Sequence, residues 1–200
     1  MLPDPIELTY ILKAAAFALI VYAQYRVIRR VASGRMKVVV LSWLGWSLLM
    51  GVSYMAQWQA QEWRWNWNLF SVLLSAVGCS AVAVTGLLTK STTRQKGDVV
   101  CLIGGLVCMA IYFLFTDPWI TTSLAIAADL LVAIPLLQGA YTDPAGQRSD
   151  AWPIALCSWL LTVGAILFAF SWLHMLWPIY LILFNGLMTY LTYARAQQVR

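Results

Sequence analysis

The chain has 200 residues, is 62% hydrophobic and only 10% charged, and carries a formal net charge of +5 with a mean hydropathy of +0.74. A soluble domain carries roughly 25% charged residues, so this composition cannot furnish a water-facing surface, and the expected class is an all-α polytopic membrane protein forming a single membrane domain. A sequence pI near 9.2 suggests nucleic acid at first sight, but the placement of the basic residues excludes that reading.

A membrane span needs about 20 mostly apolar residues. Taken in chain order, seven stretches qualify: 8–29, 38–58, 67–89, 98–116, 119–141, 151–173 and 176–195. The first follows MLPDPIELTY, which is acidic and lacks a basic n-region, so a cleavable signal is not expected. Lys13, near the start of that span, is placed to snorkel to the interface. Arg26, Arg29, Arg30, Arg35 and Lys37 surround the first connection; Lys90, Arg94 and Lys96 lie in the third; Arg148 falls in the fifth; Arg195 and Arg200 are at the C-terminal end. Of the 13 basic residues only Lys13 and Arg64 fall elsewhere. The positive-inside rule makes the basic side cytoplasmic, with the N-terminus outside and the C-terminus inside. The charge therefore orients the chain and attracts anionic membrane lipid, and no nucleic acid is needed to explain it.

The opposite side is rich in tryptophan, in QWQAQEWRWNW (57–67) and SWLHMLWP (171–178). Indoles favour the headgroup level, so an interfacial belt is expected, with a stacking wall for an entering ligand as the alternative. TDP occurs at 116–118 and 142–144; Asp as N-cap with Pro at the first helical position explains such a motif. The cysteines, Cys79, Cys101, Cys108 and Cys157, lie in apolar stretches without metal-ligand spacing, and the single histidine, His174, excludes a multi-histidine site. No metal or other cofactor is expected.

Seven spans invite a test for a repeat of three helices, a linker and three helices. Pro135 precedes Trp152 by 17 residues, and the same interval before Trp43 lands on Arg26. Eight residues beyond Trp67 and Trp177 lie Ser75 and Asn185, each followed by a small residue. The expected units are residues 8–89, a linker helix at 98–116, and residues 119–195.

The segment AIPLLQGAYTDPAGQRSDAWPI (133–154) resembles the second repeat of PQ-loop and SWEET-type transporters, in which an embedded proline precedes a short polar hairpin. WPIYLILFNGLMTYLTYARA (177–196) is similar to the last helix of that superfamily, where an Asn before a small residue faces substrate. SGRMKVVVLSWLGWSLLMGVSYMAQ (33–57) is similar to little-annotated bacterial members. The resemblance implies a seven-helix 3+1+3 fold and passage of a small solute. The chain departs from the pattern at Arg26, where the first repeat has proline, and at Ser75, where it has Asn. Gln138 stands three residues after Pro135 rather than beside it.

Asp129 is the most informative single residue. A carboxylate at a helix centre costs about 2.5–3.5 kcal/mol on insertion scales and usually faces the bundle interior or a wet cavity. Its expected role is substrate binding and proton coupling; the alternative is a hydrogen bond to Ser, Thr or Tyr of a neighbouring helix. Pro135 frees the Leu131 carbonyl and is the candidate hinge. Asn185, mid-helix, needs another helix or a ligand as partner. Ser75, Trp43 and Trp46 complete the expected substrate site from the first unit.

The expected function is a small-solute transporter or facilitator with a midplane site between the units. The alternative is a non-transporting assembly or binding subunit, or a receptor, on the same fold. Glycines 45, 51, 78, 104, 105 and 164 permit close helix contacts and leave homo-oligomerisation or a membrane-protein partner open. An enzyme is not expected, because no Ser/His/Asp set or paired carboxylates occur in one span. A retinal protein is disfavoured because the seventh span has no lysine.

Overall fold

A computed structural model describes residues 5–60, 62, 67–115 and 117–195. Among the described residues the chain forms seven α-helices. They are α1 (Pro5–Ala32), α2 (Val40–Ala60), α3 (Trp67–Leu88), α4 (Asp98–Tyr112), α5 (Pro118–Thr142), α6 (Ala151–Ile166) and α7 (Trp172–Thr189). A 3-10 turn (Leu167–Ala169) follows α6 and a π-helical turn (Tyr190–Ala194) follows α7. Two short strands, β1 (Val38–Val39) and β2 (Thr92–Thr93), pair in parallel. Trp63, Arg64 and Trp65 of the tryptophan-rich segment, Thr116 of the first TDP, and Arg200 lie outside the described residues.

Three helical stretches, Ile6–Ala32, Trp119–Thr142 and Trp172–Ala194, are long and apolar enough to cross a membrane. Four apolar stretches, Val40–Met55, Val72–Leu88, Asp98–Tyr112 and Ala151–Ile166, are shorter. Every helix exposes large apolar side chains, Leu88 to 79% and Val100 to 73%. An exterior of this kind suits lipid rather than water.

Two boundaries differ from expectation. α4 ends at Tyr112 rather than 116, so at 1.5 Å per residue it is about 22 Å long, against about 30 Å of hydrocarbon. The amides of Phe113 and Leu114 bond back three residues, to Ala110 and Ile111, tightening the last turn. Asp117 then starts α5: its Oδ1 accepts from the Trp119 amide at 2.9 Å and the Ile120 amide at 3.0 Å, with Pro118 at the first helical position. α6 ends at Ile166 rather than 173, and α7 starts at Trp172 rather than 176. Hydropathy runs unbroken through this turn; the break is set by Ser171, whose extended backbone (φ −148°, ψ 125°) occupies the N-cap position of α7.

The second TDP behaves differently from the first. Asp143 is not an N-cap but closes the C-terminus of α5, its amide donating to the Gly139 carbonyl. Its Oδ1 accepts from the Gly146 amide at 3.0 Å and its Oδ2 from Lys37 Nζ at 3.0 Å. The Gly146 amide, aided by the Lys37 charge, holds the Asp143 carboxyl below its usual range.

α3 packs against α1 and α2, and α7 packs against α5 and α6. α1 also lies on α6, α2 lies on α5, and α4 lies against α5 and α2. Polar bonds tie some of these contacts. Ser158 Oγ donates to the Ala16 carbonyl at 2.7 Å between α6 and α1, and Ser47 Oγ donates to the Ala76 carbonyl at 3.0 Å between α2 and α3. One apolar core includes Val31, Met36, Val82, Val132, Leu136 and Met188.

The basic ends of the helices are joined by a polar floor. The Val38 amide donates to the Ser91 carbonyl and the Lys37 amide to the Gly146 carbonyl, each at 2.8 Å. Gln147, buried, donates to the Lys37 carbonyl at 2.9 Å, and Trp152 Nε1 donates to the Gln147 carbonyl at 3.0 Å. Arg30 donates to the Arg148 carbonyl at 2.5 Å, and Arg26 forms an ion pair with Asp150. Three connections distant in sequence are thus held together at one end of the bundle.

Candidate functional site

Asp129 lies midway along α5 and is 3% exposed. Its position is fixed by a close approach of three helices one turn away, at Val132. A Cβ on Gly45 of α2 would stand 2.6 Å from Val132 Cγ1, and a Cβ on Gly105 of α4 would stand 2.7 Å from Val132 Cγ2. Only glycine permits both contacts, because real Cβ atoms do not approach so closely. Residues three apart share a helix face, so the contact that seats Val132 also turns Asp129 toward α2.

Tyr180 of α7 donates its hydroxyl to Asp129 Oδ2 at 2.5 Å. Trp46 of α2 lies beside the same carboxylate, but its Nε1 makes no hydrogen bond of good geometry. The Cys79 thiol of α3 is within electrostatic reach. Among the described residues no Lys, Arg or His forms an ion pair with Asp129; the pairs found join Arg26 and Arg30 to Asp150, and Lys37 to Asp143. The carboxylate is thus buried and held by one neutral hydroxyl.

Four rings close a circuit between Asp129 and the basic end. Trp43 and Trp46 meet at 5.2 Å and 88°, and Trp46 and Phe184 at 5.6 Å and 82°. Phe184 and Trp152 meet at 6.3 Å and 89°, and Trp152 returns to Trp43 at 6.4 Å. Edge-to-face pairs at these distances are the favoured aromatic geometry. Tyr180 stacks on Phe184 at 6.4 Å and joins the circuit to the carboxylate. The contributing helices are α2, α6 and α7. Trp43 and Trp152 thus bring α2 and α6 together. Trp43 Nε1 and Ser42 Oγ are buried there without hydrogen-bond partners.

The structure brings Asp129, Trp46 and Trp43 together and places Asn185 nearby on α7, next to Phe184. Asn185 is buried, but its Nδ2 donates at 2.8 Å to the Leu181 carbonyl of its own helix, so that donor needs neither another helix nor a ligand. Ser75 is not joined to this group by any described contact; its carbonyl accepts from Gln24 of α1 at 3.5 Å. The residue of α3 within electrostatic reach of Asp129 is Cys79, one turn further along. Pro135 is fully buried, and α5 continues through it without a break in helix assignment. Tyr180, Phe184, Trp152 and Cys79 are not among the site residues expected from the sequence. Tyr180 and Phe184 stand four apart on α7, the spacing of one helical face, which was the available signal.

A buried carboxylate beside aromatic side chains can accept a proton or face a cation. No protein-family model matches this chain, and no curated protein or solved structure matches it either.

Proposed function

We propose that the chain is a small-solute transporter or facilitator that crosses the cell membrane seven times, in a bacterium the inner membrane. The N-terminus lies outside and the basic floor lies in the cytoplasm. In this reading α1–α3 and α5–α7 are two triple-helix units of PQ-loop and SWEET type joined by α4. The packing supports it: exchanging the units turns the α1–α6 contact into α5–α2 and places α3 and α7 in equivalent positions.

The observation that carries the proposal is Asp129. It is a costly buried carboxylate at the seam between the units, without a basic partner among the described residues. Below it the ring circuit and the floor of ion pairs close the cytoplasmic end, as alternating access requires of one end at a time. Proton coupling through Asp129 follows from the same isolation. The test is solute flux into proteoliposomes over a panel of sugars, amino acids and vitamins, with and without a proton gradient. Flux of some solute above protein-free vesicles is expected; none across the panel, in either gradient condition, contradicts the proposal.

A second reading, a binding or assembly subunit of the same architecture, is favoured by one observation. Arg26 stands where the repeat places proline, and its ion pair with Asp150 ties α1 to the connection before α6. A stoichiometric membrane-protein partner together with absent flux would favour it.

A further inference from the structure

The basic residues at one end of the bundle are not equivalent. Those beside the α5–α6 connection are offset: Arg26 and Arg30 face Asp150, Lys37 pairs with Asp143, and Arg148 lies over the Tyr193 ring at 4.4 Å. Arg29, Arg35, Lys90, Arg94 and Lys96 are all exposed, and none of them forms an ion pair among the described residues. These five come from the α1–α2 and α3–α4 connections, which the fold joins. Val38 pairs with Thr92 and Val39 with Thr93, and a Cβ on Gly34 would stand 3.9 Å from Ser91 Oγ. Gly34 precedes Arg35 and Ser91 follows Lys90, so cations of both connections border one surface. Asp98, the acid that follows them in the chain, is buried, and its Oδ2 accepts from the Gln95 amide at 2.9 Å.

The same segments set exposed apolar side chains beside the charges. Leu87 and Leu88 are exposed just before Lys90, and Val99 and Val100 just after Lys96. Charge next to exposed hydrocarbon marks the headgroup level of a bilayer, where long basic side chains settle. Lys90 adds an independent sign. Its φ of 55° is left-handed, and it follows α3 where the Ser91 amide donates to the Gly86 carbonyl at 3.0 Å and its own amide to that of Leu87 at 3.3 Å. Glycine is the usual residue at that position of a helix-ending motif, because a Cβ there is strained. The chain keeps a charge where glycine would be more stable.

We propose that the surface shared by the α1–α2 and α3–α4 connections recruits anionic phospholipid, and that the α5–α6 connection does not. The inference rests on the reading of the chain as a membrane protein with its basic end at one bilayer surface, and not on transport. Lipid phosphates lie against Arg29, Arg35, Lys90, Arg94 and Lys96, while acyl chains cover Leu88 and Val100; no single lipid needs to touch all five cations. The acyl contact selects a lipid over a free phosphate ester. At the α5–α6 connection Asp143 and Asp150 already neutralise the neighbouring cations. Anionic lipid is therefore held on one flank of the basic end rather than all round it.

The experiment is native mass spectrometry of the full chain released from micelles doped with equal amounts of phosphatidylglycerol and phosphatidylcholine. The first bound lipid should be phosphatidylglycerol by about fivefold or more, which is what one cation near a membrane surface contributes. The preference should fall in about 0.5 M ammonium acetate, where exposed charges are screened. It should be lost when Arg35→Gln, Lys90→Gln, Arg94→Gln and Lys96→Gln are combined, and kept in Arg148→Gln. Lys90→Gly is the sharper substitution. It removes a charge and relieves the left-handed backbone, so the preference should weaken while the thermal midpoint holds or rises. If the combined variant is not monodisperse, Lys90→Gly and Arg148→Gln decide. A wild-type chain without preference, a combined variant or Lys90→Gly that keeps it in full, or an equal loss in Arg148→Gln overturns the proposal. So does complete displacement of the bound lipid by glycerol 3-phosphate, which assigns the cations to a soluble phosphate ester. A chain that stays in solution without detergent or lipid overturns the membrane reading as well; absent preference in a chain that needs micelles overturns the proposal alone.

Discussion

Replacing Gly45 by alanine tests the helix contact that positions the carboxylate. The new Cβ would stand 2.6 Å from Val132 Cγ1 and 3.0 Å from Leu102 Cδ1. Ordinary contact begins near 3.4 Å, so Val132 must move by most of an ångström. It cannot turn away, because its other methyl faces Gly105, whose own Cβ position is 2.7 Å distant. A β-branched side chain on a helix also has essentially one χ1 well. Relief must come from separating α2 and α5, an overpacking cost of about 1–3 kcal/mol. For a chain of this size that is a fall in thermal midpoint of about 2–12 °C. The assay is thermal unfolding in mild detergent of Gly45→Ala, Val132→Ala and the double variant. Val132→Ala removes both obstructing methyls, so the double variant should be more stable than the sum of the single effects by at least about 1 kcal/mol. An unchanged midpoint in Gly45→Ala, or strict additivity in the double variant, refutes the contact.

Other consequences can be measured in the same preparations. Tyr180→Phe removes the hydroxyl bonded to Asp129, and its cost should be smaller in an Asp129→Asn background by about 0.6–1.7 kcal/mol, the range for polar contacts between membrane helices; equal costs in both backgrounds remove that bond from the account. Asp150→Asn breaks a partly exposed ion pair with Arg26, so stability should change by only about 0.2–1 kcal/mol, while the maximal rate of solute flux changes with little effect on apparent affinity. An unchanged rate means the pair is not broken during turnover. Asp143 has a folded pKa below its unfolded value. Its contribution is therefore present above about pH 3.9 and is lost as pH falls through the folded value. Asp143→Asn should flatten the acid limb of the stability profile, and an unaltered limb contradicts this.

The helices themselves were legible because each carries a sustained apolar stretch, and α1, α2, α3 and α5 begin or end within a few residues of the positions read from hydropathy. The turn between α6 and α7 was not, since Leu167–Trp172 is as apolar as the flanking helices and only a serine backbone marks the break. The two TDP motifs read alike, yet Asp117 opens a helix and Asp143 closes one, because Lys37 and Gly146 stand beside the second. Asp129 was conspicuous as a charge in an apolar run. Its partner Tyr180 was not, since a tyrosine near Trp177 also suits a membrane interface. Ser75 and Cys79 lie on one face of α3, one turn apart; which of them comes within electrostatic reach of Asp129 depends on how far α3 slides along its neighbours, and no local pattern encodes that offset.

The account turns on one carboxylate. Its most direct test is the rate of solute entry into proteoliposomes holding equal amounts of the wild-type chain and Asp129→Asn, both monodisperse before reconstitution. The account predicts flux for the wild type and flux no greater than in empty vesicles for the variant. Equal flux through the two proteins contradicts it.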